Sequence, residues 1–227
     1  MIRLKYALLV AALTTGLALT FVGDITGVWV AEAQEKAAKV NYTPIPGGDY
    51  KIDAAHSVVG FSIRHFEINW VQGRFKDFAG TIHYDDKDVT RSSVEVTAKI
   101  ESIDTGIAPR DAHLRTADFF DAAKYPEMTF KTTKVERKGK DRYVLHGDLT
   151  LKGVTKPVAL PFTITGAIKD SRGNTRFGIN AQTKIDRRDF GITWGKPLEN
   201  GGVDVGNEVM IELHLEAVKP APKPAAQ

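Results

Sequence analysis

The sequence predicts an all-β fold, an extended eight-stranded antiparallel β-barrel with a short helical lid. Three observations carry that prediction. Apolar and polar residues alternate with a period of two in segment after segment, most of these segments are joined by short turn-like links, and one long connection breaks the pattern. Amphipathic strands in close succession favour an antiparallel meander closed into a barrel over a parallel sheet.

The strands follow in order. Val59, Phe61 and Ile63 mark the first, and Val71 to Tyr84 forms the second. In this second stretch the phase slips between Phe75 and Phe78, which with Gly73 and Gly80 nearby predicts a bulge. Val94, Val96 and Ile100 against Glu95, Thr97, Lys99 and Glu101 give the third, and Met128 to Glu136 the fourth. Leu145, Leu149 and Leu151 against His146, Asp148, Thr150 and Lys152 give the fifth, which Gly153-Val154-Thr155 links tightly to a sixth with Leu160, Phe162, Ile164 and Ile168 on its dry face. Phe177, Ile179, Ala181 and Ile185 define the seventh; Val209, Ile211, Leu213 and Leu215 alternate with Met210, Glu212, His214 and Glu216 in the eighth.

A barrel of eight strands is just wide enough to be filled by side chains or to hold one small ligand. A strand of about twelve residues spans roughly 40 Å, and a tilt near 40° leaves a barrel about 30 Å tall. The inward positions are Phe, Ile, Leu and Val with no ionisable group, so a ligand that enters should be long and apolar. A filled core or a two-sheet sandwich would show the same alternation, and period alone does not choose between them.

The long connection lies between Ile103 and Met128. Asp111 is placed to cap a short helix from Ala112, with Leu114, Phe119 and Phe120 turned inward and Arg110, Arg115, Asp118 and Asp121 left in water. Such a segment is either a lid beside the barrel mouth or a plain plug for its end.

Residues 1–33 are expected to be a cleaved secretory signal: Arg3 and Lys5 precede an uncharged run from Tyr6 to Val22, and Ala31-Glu32-Ala33 offers a small-x-small cleavage site. The rival is an uncleaved anchor, interrupted by Gly23 and Asp24. Residues 34–48 form a flexible linker, 49–219 the barrel domain and 220–227 a Pro/Ala-rich tail. The chain of 227 residues has no cysteine, which excludes disulfides, thiolate metal sites, cysteine nucleophiles and a lipid-modified Cys. A signal without cysteines predicts a periplasmic protein held together by its core alone. The net charge of +3 is too small and too mixed to predict a nucleic-acid partner. The basic run Lys131, Lys134, Arg137, Lys138, Lys140 and Arg142 is a solvated hairpin or a transient contact for an anionic membrane surface.

The residues also resemble a family. Asp53-x-x-His56-Ser57-x-Val59-x-Phe61-x-Ile63-Arg64-His65 and Gly73-x-Phe75-x-x-Phe78-x-Gly80 look like the opening of the YceI-like lipid-binding proteins. The likeness continues through Ser102-Ile103-Asp104-Thr105, Arg110-Asp111-x-His113-Leu114-Arg115-x-x-Asp118-Phe119-Phe120-Asp121 and Lys124-Tyr125-Pro126-x-Met128-Thr129-Phe130. It ends with Gly147 to Val158 and Asp186-Arg187-x-Asp189-Phe190-Gly191. The resemblance implies a lipocalin-like barrel, periplasmic or secreted, whose hollow lumen takes a polyisoprenoid, an isoprenoid quinone or a fatty-acid-like amphiphile.

Catalytic motifs are not found: there is no HExxH, GxSxG, Walker loop or dinucleotide fingerprint. Asp53, His56 and Ser57 invite a triad, but these residue types at a strand entrance commonly satisfy turns and backbone groups. The expectation is a binding protein without turnover, with no catalytic residues, no metal and no cofactor beyond a bound polyprenyl or fatty-acid-like ligand. An enzyme acting on a lipid or quinone, and a structural envelope module with a filled barrel, are the alternatives; a homodimer is left open. The lumen candidates are Phe61, Ile63, Phe75, Phe78, Phe130, Leu149, Leu151, Phe162, Ile164, Phe177 and Phe190. The candidates for the lid and the ligand's headgroup are Arg110, Asp111, His113, Leu114, Arg115, Phe119 and Phe120.

Overall fold

The computed structural model describes residues 40–140, 142–199 and 201–222. The predicted signal segment and the end of the Pro/Ala-rich tail lie outside the described residues. The strands are β1 (Gly48–Ile52), β2 (Val58–His65), β3 (Asn69–Phe75), β4 (Phe78–Tyr84), β5 (Ser93–Lys99), β6 (Ile103–Asp104), β7 (Glu127–Gly139), β8 (Arg142–Leu151), β9 (Val154–Ile164), β10 (Ile168–Lys169), β11 (Thr175–Asp186) and β12 (Val205–Lys219), with helix α1 (Ala108–Leu114) after β6.

Three pairs of these act as single barrel staves. β1 and β2 are separated only by a one-turn 3-10 helix at Ala54–His56, β3 and β4 by Lys76 and Asp77, and β5 and β6 by a 3-10 turn at Ile100–Ser102. Both halves of the first stave pair with both halves of the second, β2 on β3 and β1 on β4. The order then runs β4, β5, β7, β8, β9, β11, β12 and back to β1 and β2, every neighbour antiparallel. This is the closed eight-stranded barrel that the period of two predicts.

The expected irregularity between Phe75 and Phe78 is the break between β3 and β4. Lys76 N–H donates to the Ser102 carbonyl (3.1 Å) and Lys99 N–H to that of Asp77 (2.8 Å), so the chain leaves the ladder for two residues. Phe75 and Phe78, three apart, are therefore both buried.

Other expectations are corrected. The link between β8 and β9 is Lys152-Gly153, both at positive φ (49° and 74°), as a two-residue hairpin turn requires. The sixth strand does not run on to Ile168: it ends at Ile164, and β10 folds back onto β11. The segment read as a linker is docked from Thr43 onward. Thr43 forms a bridge with Ala167, Ile45 is buried, and Lys219 Nζ donates to the Gly47 carbonyl (2.8 Å). Helix α1 begins at Ala108 rather than Ala112, and Asp111 lies inside it.

The two ends of the barrel differ. At one, Tyr50 (1% exposed) meets Phe177 edge to face with centroids 4.9 Å apart, Tyr84 packs on the same Phe177, and Tyr50 O–H donates to the Pro46 carbonyl. Buried Ile45, Ala167 and Ala217 belong to the same core and seal that end. The basic β7–β8 hairpin is also there, remote from α1, and Lys134, Lys138 and His146 gather on Glu136, holding its carboxyl down to about 2. The opposite end carries α1, the β2–β3 turn and residues 187–199 and 201–204.

Candidate functional site: a capped apolar lumen

Between the sealed end and α1 the barrel is hollow. The cavity has a volume of about 430 Å³, and its wall is overwhelmingly apolar. It exists because the inward residues of the middle tiers are aliphatic or lie back against the sheet. Phe61 covers Gly73, where an added Cβ would come 2.3 Å from its ring, and Phe130 covers Gly147 at the same distance. Glycine on one strand thus makes room for an aromatic on the next and keeps that ring off the barrel axis.

The mouth is capped by aromatic contacts between two segments distant in sequence. His113 of α1 lies edge-on to both Phe119 and Trp194, and Phe119 and Trp194 are themselves 5.1 Å apart. Arg187 fixes the Trp194 side. Its guanidinium donates to the carbonyls of Gly206 (2.8 Å), Ile192 (2.9 Å) and Val205 (3.0 Å) and to Asn207 Oδ1. Burial pushes its pKa down, yet arginine stays charged. On the α1 side, Asp111 accepts from the Thr105 backbone N–H (2.9 Å) and hydroxyl, while Arg110 Nε and a terminal nitrogen donate to the Thr105 hydroxyl and carbonyl, each at 2.7 Å.

Basic side chains are concentrated at this end. Arg64, His65, Arg110, His113 and Arg187 line the cavity, and among the described residues no carboxylate does. Arg64 is stacked 4.3 Å over Trp70 rather than ion-paired. This corrects the expectation of an inward face without ionisable groups. His65 continues the inward phase of Val59, Phe61 and Ile63 to the last residue of β2, whereas Arg110, His113 and Arg187 sit in α1 and just past β11, outside the alternating strands.

Of the lumen candidates, Phe61, Ile63, Phe75, Phe130, Leu149, Leu151 and Phe162 line the cavity, as do Arg110, His113, Leu114, Phe119 and Phe120 from the lid. Six candidates are elsewhere. Phe177 belongs to the seal with Tyr50, Ile164 packs between the two core clusters near the same end, and Phe78 is buried at the break between β3 and β4. Phe190 is 1% exposed in a one-turn helix (Arg187–Phe190) outside the strands. Asp111 is taken by Thr105, and Arg115 donates to the carbonyls of Glu101 (3.0 Å) and Ile103 (3.1 Å). Wall residues missing from the candidates include Ile179, Ile211, Leu213, Leu215 and Trp194. The first four lie on the dry faces that the alternation marks.

The triad arrangement is not formed. His56 Nδ1 contacts Asp53 Oδ2 (3.0 Å), and Ser57 Oγ accepts from the Glu216 backbone N–H (2.9 Å). Asp53, His56 and Glu216 come close enough to resemble a metal site, but the Arg176 guanidinium bridges the two carboxylates and also binds Asp170 (2.8 Å). The charge a metal would supply is already provided.

A barrel closed at one end, apolar within and capped by a cationic mouth defines a class of proteins built to enclose an amphiphile. Residues 50–217 match the YceI-like domain, and the chain belongs to that family. It is 47% identical over 146 residues to Protein YceI of Escherichia coli O157:H7, covering 63% of this chain and 76% of that protein. The crystal structure of the Campylobacter jejuni YCEI protein is similar with a TM-score of 0.59 and 34% identity, over 74% of this chain and 96% of that one. A polyisoprenoid binding domain from Saccharophagus degradans has the same fold, with a TM-score of 0.55 at 16% identity, over 76% of this chain and 98% of that one.

Proposed function

We propose that this protein binds and carries a long-chain amphiphile, a polyisoprenoid, isoprenoid quinone or fatty-acid-like lipid, without turning it over. The observation that carries this reading is the apolar lumen open to cations at one end only. The tail lies among Phe61, Phe130, Leu149 and Leu213, and an acceptor-bearing head sits near Arg64, His65, Arg110 and His113. Each methylene withdrawn from water contributes about 0.8 kcal/mol. Micromolar affinity needs about 8 kcal/mol net, so a tail of more than about ten carbons is required once immobilisation is counted.

In this reading the protein is exported by its N-terminal segment and works in the periplasm. It meets a membrane surface with its mouth end, where Phe66, Ile68, Trp70, Ile107 and Trp194 are exposed. The filled-barrel alternative disagrees with the hollow lumen. The hydrolytic version of the enzyme alternative loses its residues, since Ser57 and His56 are engaged elsewhere.

The test is uptake of a fluorescent long-chain fatty acid and of a long-chain prenol by delipidated protein and by Leu213→Trp, which fills the lumen. Uptake by the parent and a loss of about tenfold or more in the variant are expected. Equal uptake by a folded variant would place the ligand outside the barrel.

A further inference from the structure

The barrel is joined unevenly around its circumference. β11 pairs with β12 along its whole length, from Thr175↔Lys219 to Asp186↔Glu208, and β9 pairs with β8 from Leu151↔Val154 to Arg142↔Thr163. Between β9 and β11 the ladder holds only Ile164↔Ile179, Thr163↔Asn180 and Phe162↔Ala181. From Pro161 toward the mouth, no register pair joins them.

The sequence of β9 explains the stop. In an antiparallel ladder the N–H and C=O of alternate residues face the same neighbouring strand. Thr165 N–H donates to the Gly178 carbonyl (2.9 Å), and the Ala159 carbonyl accepts from Thr183 Oγ1 (2.8 Å). Odd-numbered residues here therefore turn their backbone groups toward β11. Pro157 and Pro161 are both odd, and neither has an N–H to offer. Continued in register, Pro161 would face Gln182 at the first position beyond the ladder.

Both sides of this seam are lumen wall. Val158 and Leu160 on β9, with Ala181, Thr183 and Ile185 on β11, line the cavity. The mouth, by contrast, is tied by the His113, Phe119 and Trp194 rings and by four hydrogen bonds of Arg187. A long tail drawn out lengthwise would have to part the Trp194 ring from both His113 and Phe119, beside a segment that Arg187 holds in place. Separating β9 from β11 between the Phe162↔Ala181 pair and the Arg187–Phe190 turn breaks the single Thr183–Ala159 bond and no register pair.

We propose that the β9–β11 seam is a lateral passage through which the ligand's tail enters and leaves the lumen, kept from zipping by Pro157 and Pro161 and latched by Thr183 on Ala159. The inference rests on the carrier reading above and adds the route. Both paired and unpaired edges remain within one folded barrel, so the passage works by strand separation rather than by unfolding.

The absence of native cysteine makes the test direct. Ala159→Cys with Lys184→Cys places two thiols on the outer face across the seam, to be joined by a short bis-maleimide and verified by mass. Gln182→Cys with Glu212→Cys places the same crosslink across the fully paired β11–β12 ladder. Uptake and release of a fluorescent long-chain fatty acid are followed by stopped flow. The seam crosslink is expected to slow both about tenfold or more while leaving equilibrium affinity within about twofold, and the control crosslink to change neither. Pro157→Val with Pro161→Val, which restores two donors, should slow exchange without any crosslinker. Exchange at the parental rate in both the crosslinked protein and the valine variant would overturn the passage. Failure of the unmodified protein to bind the probe at all would instead overturn the carrier reading on which it rests.

Discussion

Phe130 and Gly147 are matched across neighbouring strands: an added Cβ at Gly147 would lie 2.3 Å from Phe130 Cζ and 2.6 Å from the Lys131 carbonyl oxygen. The second contact is with backbone and cannot be relieved by a rotamer change. Gly147→Ala should therefore destabilise the protein by about 1–3 kcal/mol, read from the denaturation midpoint. It should also weaken ligand binding by pushing Phe130 toward the lumen. An unchanged midpoint would show that the backbone there has slack.

The cationic mouth makes a separable prediction. Arg64 and Arg110 line the cavity without an ion pair, Arg110 giving two of its donors to Thr105, whereas Arg187 is held by four acceptors. Arg64→Gln with Arg110→Gln should weaken a fatty acid about fivefold or more, since hydrogen bonds to charged groups contribute about 1.5–3 kcal/mol, and should leave a neutral prenol nearly unaffected. Equal losses for both ligands would mean that these arginines act only by packing.

Away from the lumen, Arg176 holds Asp53, Asp170 and Glu216 together and thereby ties the β10–β11 turn to the β1–β2 junction and β12. It keeps the carboxyls of Asp53 and Asp170 below their ordinary value of 3.8. Because the folded values are depressed, this stabilisation is fully present above pH 3.8 and is lost as the pH falls through the folded values. Arg176→Gln should lower Tm by a few degrees near neutral pH, and the gap from the parent should close on acidification below that range. A gap that stays constant to the lowest pH at which both remain folded would assign the loss to packing.

Much of the fold was legible because a strand with one wet face writes its geometry into a period of two. The slip between Phe75 and Phe78 was readable for the same reason, since two inward phenylalanines three apart require a break. Height along the barrel leaves no such trace. Phe162 and Phe177 both read as inward, yet one lines the cavity and the other seals its end, a difference set by Tyr50 and Tyr84 packing on Phe177. Arg187 and Trp194 carry no periodic signal because they lie past β11 in irregular chain, and His65, though in phase with Ile63, is a polar residue at the last position of its strand. Pro157 and Pro161 do not reveal the seam by themselves, since their meaning depends on which neighbouring strand their backbone faces.

A carrier of this kind has its lumen occupied by a long-chain amphiphile in the cell. Native mass spectrometry of the protein isolated gently from its own cells tests it most directly. A lipid-sized adduct released on collisional activation is expected, with a mass matching a prenyl or fatty chain bearing a polar head. Protein without such an adduct, together with no uptake of long-chain prenyl or fatty ligands after delipidation, would contradict it.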